Sequence, residues 1–102
     1  MTDQPLTEAE IELALSELPG WNHTGDRLER SWTFEGHLAS VAAATAVGWL
    51  QEQRNHHADL TIQYNRLTVS TTTHSAGHKV SAKDVELAQA VSELLGQPPS
   101  GT

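Results

Sequence analysis

The chain of 102 residues contains no cysteine. Without thiols it can hold no disulfide framework, no thiolate nucleophile and no Cys-based zinc site, which fits a reducing compartment. Positive charge is also scarce. Six Lys and Arg stand against thirteen Asp and Glu, for a formal charge of −7. Lys79 and Lys83 are the only lysines and no basic run exists, so the clustered positive surface that direct nucleic-acid binding needs is missing. No apolar run approaches the roughly 18 residues of a membrane span. The opening MTDQPLTEAE is acidic and polar, unlike a signal peptide, and a soluble cytoplasmic protein is expected. Phe and Tyr occur once each, so the core has to be assembled from Leu, Val, Ile, Ala and three Trp. So lean a core often gains stability by self-association, and a homodimer or homotetramer is expected.

What is present organises into alternating patterns. Thr7 three residues before Glu10 is a capping box, and Ile11, Ala14, Leu15 and Leu18 follow at helical spacing up to Pro19-Gly20, predicting a helix over about 7–18. Trp21 opens a short strand, Thr24-Gly25-Asp26 supplies a turn, and Leu28, Trp32 and Phe34 alternate with polar residues as in a half-buried strand. Arg30 interrupts that apolar set and is expected to snorkel at a sheet edge. Residues 36–55 are Ala-rich and helical, with Leu38, Val41, Ala42, Thr45, Trp49 and Glu52 on one stripe. A second hairpin follows: Leu60, Ile62 and Tyr64 alternate, Asn65-Arg66 turns, and Leu67 and Val69 resume the period. Ser81 with Asp84 makes a second capping box before Leu87, Ala88, Val91, Leu94 and Leu95, and Gly96 with Pro98-Pro99 stops that helix. The order α-β-β-α-β-β-α implies an α+β fold, with a four-stranded antiparallel sheet and three helices on one face. Residues 1–96 form one domain on this reading, and 97–102 a flexible tail.

Six histidines equal the Lys and Arg combined. His56 and His57 are adjacent, and His74 and His78 follow the second hairpin. Imidazole is the side chain whose ordinary pKa, about 6.5, lets it both take and give a proton near neutrality. Glu52 and His56 are four apart, so they share a helical face if the helix runs that far. Each residue alone has a plain structural explanation. Asp84 is a capping-box acid, His57 a helix-end group, His74 a strand end; His23 and His78 read as surface residues, and His37 as a helix N-terminal one. A metal site is not expected, since adjacent helical residues such as His56 and His57 point about 100° apart and no H-x-H spacing occurs.

Together the residues form a pattern. The run Glu52-x3-His56-His57-x6-Tyr64-x9-His74-x9-Asp84 resembles the signature of the pterin-4a-carbinolamine dehydratases, also known as the dimerisation cofactor of a homeodomain transcription factor. The resemblance extends to Gly20-Trp21-Asn22, Trp32-Thr33-Phe34, Tyr64-Asn65, Thr73-His74 and the Glu86-Leu87-Ala88 that follows Asp84. The chain departs from the family pattern at Ala58, where Pro is usual, at Asn55, usually acidic, and at Leu60, usually Trp. It departs again near Leu38, where Phe is usual, and in a loop after His74 about one residue longer than in many members. The resemblance implies dehydration of a 4a-hydroxytetrahydropterin to quinonoid dihydropterin, without metal or organic cofactor. His56, His57 and His74 would be catalytic, with Glu52, Asn55, Thr73 and Asp84 binding or orienting. The alternative is a catalytically silent scaffold or coactivator of the same fold.

Overall fold

Two helices begin at capping boxes that close as the sequence requires. At the start of α1 (Glu8–Leu15), Glu10 N donates to Thr7 Oγ1 at 3.1 Å and Thr7 N donates to Glu10 Oε1 at 2.8 Å. At the start of α3 (Ala82–Leu95), Ser81 and Asp84 exchange the equivalent pair. Each box satisfies backbone donors that a helix start leaves without partners. The computed structural model describes residues 3–96; the tail expected over 97–102 lies outside the described residues. α1 stops at Leu15 rather than Leu18, because the chain tightens there into shorter turns: Glu17 N donates to Ala14 O and Leu18 N to Leu15 O.

The remaining elements are β1 (Asn22–Thr24), β2 (Arg27–Thr33), α2 (His37–Arg54), β3 (Asp59–Gln63) and β4 (Arg66–Thr71), with a single 3₁₀ turn at His74–Ala76. The strands form one antiparallel sheet in the order β1-β2-β4-β3. Leu28 pairs with Thr71, Trp32 with Leu67, and Leu60 with Val69. The core lies between one sheet face and the helices. Leu28, Trp32, Leu67 and Val69 meet Ile11 of α1, Ala43 and Val47 of α2, and Leu87, Ala88 and Val91 of α3. The α+β architecture and its element order are those expected from the sequence pattern.

Two local expectations need correction, and the spacing leaves open which side of α2 packs inward. Arg30 does not snorkel at an edge. β2 is an inner strand, and Arg30 alternates with Leu28 and Trp32 on its core side, 3% exposed. Its guanidinium lies 4.5 Å from the Trp32 ring centroid and donates to Pro19 O at 2.8 Å, while Nη2 has no partner among the described residues. Burial holds the Arg30 pKa below the usual guanidinium value. The hairpin between β3 and β4 turns at Tyr64-Asn65, one residue earlier than expected, because Gln63 already pairs with Arg66 and Tyr64 takes the left-handed conformation at φ 51°. The α2 stripe, finally, faces away from the sheet. Its buried face is Ser40, Ala43, Val47 and Gln51, on the opposite side of the helix, and leaves Leu38 81% and Trp49 70% exposed. Small residues win the inner face because the helix packs closely on β4 and α3.

Candidate active site

The site is built where α2 ends and β3 begins. Asn55 takes the left-handed conformation, φ 54° and ψ 41°, and its N–H and that of His56 return to carbonyls of the last helical turn. The side chain of Gln51, itself buried, accepts the N–H of Ala58 at 2.8 Å and pins the far side of this bend. Asn55 ends the helix before His56, so His56 does not stand one turn above Glu52. The Glu52 carboxylate instead lies 3.4 Å from Nε2 of His57, in an exposed pair. Such a pair is worth little to stability.

His56 turns inward. Its Nε2 lies 2.7 Å from Oδ1 of Asp84, and its side chain is 11% exposed against 0% for Asp84. Asp84 is held from every side. Oδ1 also accepts the hydroxyl of Thr71 at 2.6 Å, and Oδ2 accepts the hydroxyl of Thr73 at 2.6 Å and the backbone N–H of Ser81 at 2.9 Å. A buried carboxylate needs such donors to offset its lost hydration. Asp84 therefore caps α3 and braces His56 with the same side chain.

The strand and the following loop supply the rest. Thr71 and Thr73 project to the core side of β4 and its continuation, two residues apart. His74 begins the 3₁₀ turn, exposed, and the isolated bridge between Thr73 and Lys79 closes the loop behind it. His78, in the left-handed region at φ 62°, brings its ring centroid 4.6 Å from that of His74.

Asn55, His56, His57, Thr72, Thr73, His74, Ser75 and Lys83 line one hollow of about 330 Å³, in the range of small-molecule sites. Five residues singled out from the sequence thus share its wall. Asp84 bonds to His56 and Thr73 of that wall, and Glu52 to its His57. Sequence reasoning missed Thr71, Thr72, Ser75 and Lys83. The period-2 alternation of Thr71 with Thr73 was the available signal for the first, whereas Ser75 and Lys83 carry none. At the rim Asp3 accepts from Ser75 Oγ at 2.6 Å and pairs with Lys83 Nζ at 3.1 Å. The Ser75 hydrogen bond, then Lys83, hold its carboxyl below the ordinary value. Among the described residues no three His, Asp or Glu side chains converge as metal ligands, and no helix is long and apolar enough to cross a membrane.

A family profile described as pterin 4 alpha carbinolamine dehydratase matches residues 4–94. The chain belongs to that family. A Streptomyces coelicolor protein that carries the dehydratase name provisionally is 43% identical over 94 residues, covering 92% of this chain and 93% of its own. A Thermosynechococcus vestitus protein, named in the same way, is 45% identical over 89 residues, covering 87% of this chain and 93% of its own. A Brucella melitensis crystal structure, described as a transcriptional coactivator/pterin dehydratase, superposes with a TM-score of 0.85 at 27% identity, covering 91% of this chain and all of that one. The resemblance drawn from Glu52 to Asp84 is to the same family.

Proposed function

We propose that the hollow binds a 4a-hydroxytetrahydropterin and eliminates water from it, yielding quinonoid dihydropterin for reuse in tetrahydropterin recycling. The reaction removes a proton from ring N5, and that electron pair forms the N5–C4a double bond. The C4a–O bond breaks as the departing hydroxyl takes up a proton. One group must accept and another must donate, on a flat ring small enough for the hollow. The observation that carries the reading is the convergence of His56, His57 and His74 on one hollow, with His56 braced by a buried carboxylate. His56 and His74 are the principal proton-handling groups, and His57, backed by Glu52, positions the ring. Asn55 and Thr73 line the site, and general acid–base catalysis of this kind contributes about 10²–10⁴-fold.

The test is spectrophotometric turnover of the carbinolamine by wild type and by His56→Ala and His74→Ala. A loss of about a hundredfold or more in kcat is expected in each variant; wild-type rates in both would overturn the assignment.

The enzyme works as a homo-oligomer, a dimer or tetramer, on this reading. The outward face of α2, with Leu38 and Trp49 uncovered, supports it, since contiguous exposed apolar surface marks interaction sites. The same face, with the coactivator named in the Brucella protein's description, favours a scaffold as the second reading. Binding of a dihydropterin analogue without turnover would mark a degenerate pocket, and neither binding nor turnover would mark the scaffold.

A further inference from the structure

Hydrogen positions around His56 follow from its neighbours. A carboxylate oxygen only accepts. The hydroxyl of Thr71, 2.6 Å from Asp84 Oδ1, therefore spends its one proton on Asp84. Thr73, 2.6 Å from Oδ2, does the same, which leaves Ser81 Oγ to donate to Thr73 Oγ1 at 2.7 Å. His56 Nε2 faces Asp84 Oδ1 at 2.7 Å and Thr71 Oγ1 at 3.2 Å. Both neighbours present lone pairs and neither has a proton to give. A bare Nε2 would sit against two acceptors in a buried site, an arrangement that costs the full desolvation of each.

The geometry points to Thr71 as a positioning residue which, with Asp84, holds the neutral His56 ring as the Nε2–H tautomer, so that Nδ1 is the atom that takes the N5 proton. Nδ1 makes no hydrogen bond among the described residues, and the His56 ring lines the hollow. The proton on the departing oxygen then comes from His74, which lines the same hollow, and leaves with it as water. This division of roles rests on the dehydratase reading, whereas the tautomer itself does not.

Ser81 N–H is a backbone donor and cannot reverse. In Asp84→Asn the amide oxygen must stay on Ser81, so the amide nitrogen takes the place of Oδ1 and donates to Nε2. The ring is then forced to the opposite tautomer, Nδ1–H.

The experiment is long-range nitrogen–proton NMR of the histidine rings, beside carbinolamine kinetics. Wild type, Thr71→Ser and Thr71→Val, which all keep the Asp84 acceptor against Nε2, are expected to show His56 only as Nε2–H, and Asp84→Asn only as Nδ1–H. In Thr71→Val kcat is expected to fall about tenfold with KM within twofold, and Thr71→Ser to restore it. A wild-type Nδ1–H ring would overturn the inference. So would Thr71→Val with wild-type kcat, or Thr71→Ser with kcat no higher than that of Thr71→Val, since either leaves the hydroxyl no part in placing the ring. Should wild type lack turnover, the dehydratase reading falls while the nitrogen spectra still decide the tautomer.

Discussion

The carboxylate of Asp84 accepts the Ser81 N–H on one oxygen at 2.9 Å and faces His56 Nε2 with the other at 2.7 Å. Helix capping and histidine placement thus depend on one fully buried side chain. Asp84→Ala would strand the hydroxyls of Thr71 and Thr73 and the capped N–H. A loss of about 3–5 kcal/mol is expected from urea unfolding, against about 1–2 for the isosteric Asp84→Asn.

Glu52 and His57 form the contrasting pair, both exposed and 3.4 Å apart. Glu52→Gln is expected to change stability by less than about 0.5 kcal/mol. Its effect on the carbinolamine reaction should fall in KM, through ring positioning by His57, and not in kcat. Steady-state kinetics at saturating substrate separates the two.

Gly20 carries a different constraint. It sits at φ +88°, and a Cβ there would come within 2.8 Å of Arg30 Nε. Gly20→Ala is expected to cost about 1–3 kcal/mol, because both the backbone and the buried guanidinium must shift. Arg30→Met removes a buried charge that has no carboxylate partner among the described residues and should be neutral or stabilising in thermal melts.

Asp3 gives a pH signature. Its folded pKa lies below the ordinary 3.8 because Ser75 and Lys83 favour the carboxylate. The contribution is therefore present above the unfolded value and lost as pH falls through the folded one. Wild type is expected to exceed Asp3→Asn in denaturation midpoint near pH 6, with the gap closing below pH 3.8. A gap that widens in acid would contradict the pairing.

The outward face of α2 predicts an assembly phenotype. Trp49→Glu places charge on an exposed apolar stripe without touching the core. Sedimentation equilibrium should show dissociation to a smaller species, with folding retained by circular dichroism.

Local rules carried most of the fold. Both capping boxes, the hairpin alternation and the Gly96 stop are decided by residues within a few positions of one another, so periodicity and cap chemistry reveal them. What the sequence hid was orientation across elements. The α2 stripe is visible as a stripe, but nothing in its spacing says whether the sheet lies on that side or behind Ala43 and Val47. Arg30 looked like an edge residue because strand order is a long-range property. The partner of His56 was hidden for a related reason. Sequence proximity favours Glu52, yet one left-handed residue, Asn55, ends the helix, and Asp84, distant in sequence, takes that place.

The most direct measurement is a crystal structure of the protein with a reduced-pterin analogue. A flat ring seated among His56, His57 and His74, its N5 edge towards His56, is the predicted result. A ring bound elsewhere on the surface, with those imidazoles in contact only with solvent, would contradict the dehydratase account.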